Sequence, residues 1–203
     1  MISFRDFEER DVDFIYQLKN NKELNKRIVA QWRPYTYEEA RKWVNGCIGN
    51  HDTYKFWVIC TNDSEKKPIG YASISEIDHK NKSVCFHGIV ISDPDYNDGF
   101  AWIETYLFIY NYIFEVLKFN RVYAKCRVDH KMTMMMRKLM FAQQEGICRQ
   151  ALYADGEYHD LSFGALLSHE YFTHKENGDY ELKAIIKRLR KIKKKDAQKT
   201  SND

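Results

Sequence analysis

Short apolar runs, some alternating with polar residues and some continuous, recur along this 203-residue chain between charged or turn-forming segments. Alternation with a period of two puts successive side chains on opposite faces of a strand, so these runs predict seven strands. They are ISFRDF (2–7), YKFWVICT (54–61), PIGYASISEI (68–77), SVCFHGIVIS (83–92), RVYAKCRV (121–128), QQEGICRQALY (143–153) and EYHDLSFGALL (157–167).

Helical spacing, in which apolar residues recur every three or four positions, occurs between the strands. Thr36 and Glu39 have the spacing of a capping box, which begins a helix that ends near Ile48. An earlier helix is predicted in ERDVDFIYQLKNN, and the side chains that share one of its faces are Val12, Ile15, Tyr16 and Lys19.

The segment from Ala101 to Leu117 carries charge only at Glu104 and Glu115, so it predicts a helix buried against a sheet. A further helix is predicted in KMTMMMRKLMF (131–141). The second, third and fourth strands are joined by short polar segments and should pair as an antiparallel meander. The whole order, β, α, α, β, β, β, α, β, α, β, β, predicts an α/β fold with a mixed central sheet and helices on both faces.

Composition favours one globular domain, since 44% of the residues are hydrophobic and no repeat or proline-rich linker divides residues 1–172. Residues 173–203 are predicted to form a basic C-terminal helix and a disordered tail. The N-terminal sequence MISFRDFEERDVDF carries charge where a signal peptide needs an apolar stretch, and no apolar run reaches about 18 residues. We therefore expect a cytoplasmic protein without a transmembrane segment.

Five cysteines, at positions 47, 60, 85, 126 and 148, are odd in number, widely spaced and mostly placed in apolar runs. Neither a CxxC pair nor a cluster of cysteine and histidine supplies metal-ligand spacing. We therefore predict reduced core thiols and no metal site.

Positive charge is concentrated near the C-terminus. The segment LKAIIKRLRKIKKK (182–195) holds eight Lys or Arg residues and no acid, so removing it from the net charge of +3 leaves −5 for the rest of the chain. One interpretation is a solvated helix that packs on the domain through its apolar stripe, and the other is a contact with RNA or another anionic surface. The stripe consists of Leu182, Ile185, Ile186, Leu189 and Ile192.

Four segments of the chain resemble the GCN5-related N-acetyltransferases (GNAT). They are FHGIVI (86–91), the loop YNDGFA (96–101), the helix end YIFEVLKFNRV (112–122) and RKLMF (137–141). The order of elements is similar to that of the family over roughly residues 2–170. The resemblance implies a GNAT-like, mostly antiparallel sheet and an acyltransferase that uses acetyl-CoA as cosubstrate.

The resemblance places the coenzyme along the strand GIVI and the loop that follows it. A helix N-terminus presents unpaired N–H groups and a partial positive charge, and small residues at Gly99 and Ala101 let a phosphate approach the backbone. The loop departs from the family pattern at Tyr96, where Gln or Arg is usual, and at Asp98, whose charge opposes a diphosphate. The residues assigned to the coenzyme are Ile89, Val90, Ile91, Asn97, Asp98, Gly99, Phe100, Ala101 and Asp129.

Counting back from Phe141, Asp129 falls at the position of the family's Asn and Met136 at that of its Tyr. In the family this Tyr protonates the departing thiolate, which methionine cannot do. The coenzyme A thiolate is a weak enough base to leave without an acid, so the loss of the hydroxyl need not abolish transfer.

Transfer to an amine also needs a group that takes the amine proton. His87 is the first choice, because it lies in the strand that should hold the acyl group, by register on the same side as Cys85, Ile89 and Ile91. Glu76 and Asp78, at the end of the preceding strand, would instead activate a water. A core histidine and a solvated turn carboxylate are the alternatives to these two roles.

The family builds its acceptor pocket from the segment between the first two helices and from the last hairpin. Aromatic faces beside arginines suit a sugar nucleotide or a substrate associated with nucleic acid, since rings stack and guanidinium binds phosphate. Alternatively, Trp32 and Tyr35 only fasten the second helix. Those segments contain Arg27 and Tyr153, and the residues that we assign to acceptor binding are Trp32, Arg33, Tyr35, Tyr158 and His159.

These features lead to three hypotheses of function. The first is an acetyl-CoA-dependent N-acetyltransferase that acts on the primary amine of a small polar acceptor, such as an amino-sugar nucleotide. The second is acetylation of protein N-termini, as in enzymes that modify ribosomal proteins. The third is a non-catalytic member of the fold that binds a ligand, RNA or a partner, in keeping with the altered loop, Met136 and the basic tail.

Overall fold

A computed structural model describes residues 1–25, 32–49, 51–97, 99–154 and 156–200, and for residues 195–200 it describes the backbone alone. Within these residues, seven strands form one sheet. They are β1 (Ile2–Arg5), β2 (Tyr54–Thr61), β3 (Pro68–Asp78), β4 (Ser83–Ile91), β5 (Arg121–Arg127), β6 (Gln143–Ala154) and β7 (Glu157–Leu167).

The order of the strands across the sheet is β1-β2-β3-β4-β5-β7-β6. All neighbouring strands are antiparallel except β4 and β5, which run parallel. The predicted meander of β2, β3 and β4 is confirmed, and so is the α/β class with a mixed, mostly antiparallel sheet.

The parallel strands β4 and β5 separate after a short contact. Their pairing ends where Cys85 lies opposite Tyr123. Beyond that point β5 continues beside β7 to Arg127, and β4 continues beside β3 to Ile91. The facing edges of β4 and β5 are therefore unpaired over the second half of each strand, which opens a cleft between them.

Strand β4 contains a bulge at His87. Ser73 of β3 lies opposite Gly88, whereas the next residue of β3, Ile74, lies opposite Phe86. His87 is therefore an extra residue on β4 with no counterpart on β3.

After the bulge, the alternation of side chains between the two faces of β4 is shifted by one residue. Phe86, before the bulge, packs in the same hydrophobic cluster as Ile89 and Ile91 after it. Regular alternation would put Ile89 on the side opposite Phe86. The prediction that His87 lies on the same side of β4 as Ile89 and Ile91 is therefore wrong, because the extra residue shifts the alternation by one position; Cys85 and His87 both lie beside Ser75.

Helices lie on both faces of the sheet, as predicted. Two short ones, the second and the sixth, were not predicted, and the fourth continues into a π-helical turn at Tyr112–Val116. They are α1 (Val12–Asn20), α2 (Lys22–Asn25), α3 (Tyr37–Cys47), α4 (Phe100–Asn111), α5 (Lys131–Leu139), α6 (Ser168–Glu176) and α7 (Leu182–Thr200). Helix α3 begins at the predicted capping box, in which the Glu39 N–H donates to Thr36 Oγ1 and the Thr36 N–H donates to the Glu39 carboxylate.

Two hydrophobic clusters flank the sheet. Helices α1 and α3 cover one face of β2, β3 and β4, and their buried side chains include Val12, Ile15, Leu18, Ala40 and Val44. Helices α4, α5, α6 and α7 cover the other face, and their buried side chains include Ile109, Leu139, Tyr171 and Ile185. Tyr16, which was predicted to face inward, is 37% exposed.

Helix α7 is held against the domain by apolar and polar contacts. Ile185 is fully buried. Arg188 donates hydrogen bonds to the carbonyl oxygens of Leu139 (2.8 Å) and Asp179 (3.1 Å), and its guanidinium lies 4.0 Å from the centroid of the Phe141 ring. The chain after α6 is therefore tied to the core, and its separation from the domain at residue 172 stays a prediction.

Four of the five cysteines are buried, whereas Cys148 is exposed on the edge strand β6, contrary to the prediction of a core thiol. In the part of the chain that the structure describes, no group of three or more His, Cys, Asp or Glu residues is arranged to hold a metal ion. No helix in the same ranges is long and apolar enough to cross a membrane.

Candidate active site

Polar side chains line one face of β3, the face on which α1 and α3 pack. Tyr71, Ser73 and Ser75 alternate with Ala72 and Ile74, which point into the opposite hydrophobic cluster. We call these three residues the polar strip. It begins at Tyr71, which packs among the side chains of α1 and α3, and ends beside the bulge of β4.

Glu76 directly follows the polar strip, and its carboxylate reaches across to β5. It accepts hydrogen bonds from the Tyr123 hydroxyl (2.7 Å) and the Lys125 ammonium (3.3 Å). The Tyr123 hydrogen bond, helped by Lys125 and by the nearby His87, lowers the pKa of Glu76. Glu76 is therefore an anionic carboxylate at neutral pH, held at the point where β4 and β5 separate.

His87 is exposed at the bulge, and its Nδ1 lies 3.4 Å from Ser75 Oγ. The structure brings the two predicted catalytic residues, His87 and Glu76, to one end of the polar strip. An exposed imidazole can take a proton from an amine, and a neighbouring carboxylate stabilises the imidazolium that results. This arrangement suits proton transfer beside the cleft.

Cys85 lies beside these groups but is not suited to act as a nucleophile. Burial raises the pKa of its thiol to about 11. Because the thiolate is the reactive form, Cys85 is a packing residue at neutral pH.

The loop between β4 and α4 ends in a glycine with a left-handed backbone. Gly99 is the N-cap of α4 with φ 97°, a conformation that glycine adopts without steric cost. A Cβ atom at this position would meet no other atom within 4 Å. The open space in front of a helix start, where N–H groups lack partners within the helix, fits a phosphate of coenzyme A.

Other residues assigned to the coenzyme lie at the same end of the sheet. Ile89–Ile91 form the part of β4 that has no β5 partner. Ala101 is buried in the first turn of α4, and Phe100 is 48% exposed. The helix start therefore follows the unpaired end of β4 closely along the chain.

The remaining loop residues are described only in part. The Asn97 N–H donates to the Pro94 carbonyl oxygen (3.1 Å) and closes a 3-10 turn. Asp98, assigned to the coenzyme, and Arg27, from the acceptor segment, lie outside the described residues.

Asp129, also assigned to the coenzyme, contacts the β6–β7 hairpin. Its carboxylate pairs with Arg127 (2.5 Å) and lies 3.9 Å from Nδ1 of His159. The hydrogen bonds from Arg127 lower the pKa of Asp129. His159 in turn places Nε2 3.2 Å from the Ala154 carbonyl oxygen. These contacts account for Asp129 without a ligand, and its role in coenzyme binding stays a prediction.

Helix α5 has His130 as its N-cap, and Nδ1 of His130 accepts a hydrogen bond from the Thr133 N–H (3.2 Å). Met136, at the position of the family's Tyr, is 1% exposed and part of the core. It therefore supplies packing and no proton donor.

Trp32, Arg33 and Tyr35 fold against the end of α1. Trp32 Nε1 donates to the Lys19 carbonyl oxygen (2.9 Å), and the Tyr35 N–H donates to the Asn20 side chain (3.0 Å). Arg33 is exposed and forms an ion pair with the first turn of α3. The segment thus fastens α1 to α3, and the ring of its Tyr35 lies 5.8 Å from the Lys19 ammonium.

Lys19 is the residue of this region whose position sequence reasoning did not connect with function. Its ammonium lies 3.2 Å from the Tyr71 hydroxyl oxygen, and 4.6, 5.3 and 5.8 Å from the ring centroids of Trp43, Tyr71 and Tyr35. Burial lowers the pKa of Lys19. We call Lys19 and these three rings the lysine cage. The signal was its place on the inward stripe of α1, where a lysine is unusual.

The predicted acceptor residues of the hairpin lie apart from those near α1. Tyr158 is 66% exposed, and its ring lies 5.0 Å from that of Tyr153. Across the described ranges, no hydrogen bond, ion pair or ring contact joins Tyr158 or His159 to residues 32–35. The structure therefore joins the lysine cage to the polar strip but leaves the hairpin residues unconnected to it.

Comparison with known proteins supports an acyltransferase. A family model described as an acetyltransferase (GNAT) domain matches residues 2–141, more than half of the chain. No curated protein matches the chain.

Solved structures with the same fold include several acetyltransferases. A spermidine N-acetyltransferase from Vibrio cholerae, in complex with CoA and spermine, has a TM-score of 0.73 and 22% sequence identity, with 84% of this chain and 98% of that chain covered. A GCN5-related N-acetyltransferase from Brucella melitensis has a TM-score of 0.73 and 18% identity, with 89% and 80% covered. Because the family model matches most of its length, this chain belongs to the GNAT acetyltransferase family.

Proposed function

We propose that this protein transfers the acetyl group of acetyl-CoA to the primary amine of a small polar acceptor. N-acetyl transfer with acetyl-CoA as cosubstrate is the chemistry of its family. The observation that carries the proposal for this chain is the position of His87 and Glu76 beside the cleft between β4 and β5. Groups that can accept a proton there lie where an acyl group held along β4 would meet an amine.

The residues that would hold the coenzyme border the same cleft. Gly99, Phe100 and Ala101 at the start of α4 would bind its phosphates through backbone N–H groups. Ile89–Ile91 would bind its pantetheine arm along the unpaired edge of β4. Bound there, acetyl-CoA supplies an acetyl group activated as a thioester.

The chain's own part in the reaction is to remove a proton and to orient the amine. Most primary amines are protonated near pH 7, so a proton must leave before the nitrogen can attack. His87 would take that proton at the bulge, and Glu76 would stabilise the imidazolium or act through a water. Met136 offers no acid for the leaving thiolate, which leaves without one.

An amino-sugar nucleotide is the acceptor that this site favours. Trp32 and Tyr35 offer aromatic faces, and Lys19 and Arg33 offer positive charge, as recognition of a phosphorylated sugar requires. A polyamine is a second candidate, because the Vibrio cholerae enzyme with the same fold was solved with spermine. Acetylation of protein N-termini, and binding without turnover, are the two remaining alternatives.

The test is titration with acetyl-CoA in a calorimeter, followed by measurement of CoA release with a panel of amines. The panel contains an amino-sugar nucleotide, spermidine and a peptide with a free N-terminus. Release that depends on one class of amine supports the proposal and identifies the acceptor. Binding of acetyl-CoA without release with any amine would favour the non-catalytic alternative, and absence of binding would refute the proposal.

The basic face of α7 supports a separate proposal, a salt-sensitive contact with RNA or an anionic surface. Ile185 anchors the helix, and the exposed side chains include Lys183, Lys187, Arg190, Lys191 and Lys194. Clustered positive charge of this kind attracts phosphate groups without recognising a sequence.

A further inference from the structure

The lysine cage holds a positive charge whose surroundings are aromatic rather than acidic. Lysine is rarely buried unless an anion pairs with it. Within the described ranges, no Asp or Glu lies at ion-pair distance from the Lys19 ammonium. The ammonium donates one hydrogen bond to a protein group, the Tyr71 hydroxyl. An ammonium has three N–H donors, so two remain for a ligand.

The rings of the lysine cage stabilise the charge but do not enclose it. The attraction of a cation to aromatic faces offsets part of the cost of burial. The Lys19 side chain nevertheless keeps part of its surface exposed. A ligand can therefore reach the ammonium from the side that the rings leave open.

A second unsatisfied group lies next to the lysine cage. Ser73 is 1% exposed, and its Oγ has no hydrogen-bond partner among the residues that the structure describes. It is the middle residue of the polar strip, between Tyr71 and Ser75. A buried hydroxyl without a partner costs free energy, so its place next to Tyr71 of the lysine cage, on the same face of β3, points to a polar ligand that the free chain lacks.

We propose that Lys19 binds an anionic group of the acceptor, while the polar strip spans the distance from that group to the reacting amine at His87. This inference rests on the proposed function and defines its substrate class. The acceptor then carries an amine at one end and a carboxylate or phosphate at the other. A polyamine, which is positively charged at both ends, is repelled by Lys19.

The geometry also sets the length of the acceptor. Successive residues of a strand rise about 3.3 Å, so Tyr71 and Ser75 stand about 13 Å apart. The long Lys19 side chain and the imidazole of His87 shorten the span that the acceptor must cover. Acceptors with six to eight chain atoms between the amine nitrogen and the anionic oxygen should fit best, because such a chain is on the order of 8 to 11 Å long when extended.

A series of amines with equal chains and different ends tests the charge. The probes are 6-aminohexanoate, hexylamine and 1,6-diaminohexane, with 8-aminooctanoate and 4-aminobutyrate to vary the length. We expect kcat/KM, measured as CoA release, to be at least tenfold higher for 6-aminohexanoate than for 1,6-diaminohexane. Glucosamine 6-phosphate against glucosamine extends the comparison to a phosphate and shows which anion is preferred.

Two variants distinguish the effect of the Lys19 charge from that of positive charge elsewhere on the surface. Lys19→Met keeps a long side chain among the rings and should abolish the preference for 6-aminohexanoate over 1,6-diaminohexane, through a higher KM for 6-aminohexanoate. Lys22→Met is the matched control, because Lys22 lies one turn away, exposed, 5.8 Å from the Trp32 ring. It should keep the preference. A preference that survives in Lys19→Met, or that is absent from the wild type, overturns the inference.

Binding distinguishes failure of this inference from failure of the proposed function. If no amine gives CoA release, the proposed function fails. Anion binding at Lys19 is then measured by thermal unfolding instead. 6-Aminohexanoate should then raise the Tm of the wild type and of Lys22→Met but not that of Lys19→Met. Equal shifts in all three proteins, or none, refute the anion site.

Discussion

The hydroxyl of Tyr123 donates a 2.7 Å hydrogen bond to the carboxylate of Glu76, and Tyr123 is also the last residue of β5 that pairs with β4. One side chain thus links the end of β3 to β5 at the point where the cleft begins. The same bond is the largest cause of the lowered pKa of Glu76. The same hydrogen bond therefore keeps Glu76 negatively charged and connects β3 with β5 at the point where β4 and β5 separate.

Tyr123→Phe should raise the pKa of Glu76 toward 4.5, because the main hydrogen bond to its charged form is lost. Carboxyl 13C chemical shifts followed through a pH titration would measure the change. Tyr54→Phe, which removes a hydroxyl bonded to the Gly46 carbonyl oxygen and not to Glu76, is the control and should leave the pKa of Glu76 unchanged. An unaltered titration in Tyr123→Phe would mean that Lys125 and His87, without Tyr123, lower the pKa of Glu76.

Glu76→Gln should lower stability at neutral pH but not in acid. A carboxyl whose pKa is lower in the folded state stabilises that state above its unfolded pKa, near 4.5, and loses the effect as the pH falls through the folded value. The difference in unfolding free energy from wild type should be about 1 kcal/mol or less at pH 7, since the group is partly exposed. It should shrink below pH 4.5, as measured by urea unfolding; a difference that grows in acid would mean that the hydrogen bonds to the Glu76 carboxylate do not stabilise the fold.

His87→Ala should reduce kcat by about 10²- to 10⁴-fold at neutral pH while leaving the acetyl-CoA affinity nearly unchanged. Raising the pH should partly restore the variant, because more of the acceptor amine is then already neutral. The matched control is His79→Ala, a histidine of the β3–β4 turn that packs edge-on against Phe119. Wild-type turnover and pH profile in His87→Ala would leave Glu76 with a water as the proton acceptor.

Gly99→Val should weaken acetyl-CoA binding by at least about tenfold, or 1.4 kcal/mol, because a branched side chain would enter the space where phosphate approaches the α4 N–H groups. Any non-glycine residue is also strained at φ 97°. Gly49→Val is the matched control, since Gly49 has φ 91° and equally open surroundings at the end of α3. Both variants should lose stability, and only Gly99→Val should lose affinity in calorimetry; equal affinities would place the coenzyme elsewhere.

Lys187→Glu/Lys191→Glu should weaken any RNA or anionic-surface binding and reduce its dependence on salt, with acetyl transfer unchanged. Each phosphate contact adds a counterion-release contribution, so affinity should fall steeply between about 50 and 200 mM salt in the wild type. Charge reversal is a cleaner test than truncation, because Ile185 and Arg188 tie α7 to the core. Lys42→Glu/Lys80→Glu alters the same charge elsewhere, and an equal loss of binding there would deny α7 a special role.

The sequence predicted the sheet and its long helices because their signals are local. Strand alternation, the Thr36 capping box and the apolar character of α4 each depend on a few neighbouring residues. The bulge at His87 could not be predicted in this way, because its extra residue is defined by pairing with Ser73 and Ile74 of another strand. The shift in alternation that placed Ile89 and Ile91 wrongly relative to His87 has the same origin.

The candidate site was predicted less completely than the fold. His87 and Glu76 were found from chemistry and approximate position, and the structure places them together. Lys19 was recognised only as a member of a helical face, because its surroundings come from α3, β3 and the segment before α3. A single lysine on the inward face of a helix indicates a position worth examining. The aromatic residues that surround it cannot be identified in the same way, because they are far apart in the sequence.

The bulge at His87 also affects how this chain can be compared with its relatives. A GNAT protein whose fourth strand lacks the extra residue corresponds to this one only if an alignment opens a one-residue gap at that point. Without the gap, every position from Gly88 to Ile91 is matched to a residue that faces the other way. Substitutions inferred from such an alignment would exchange interior and ligand-facing side chains, and a deletion of His87 would impose the same exchange on the protein itself.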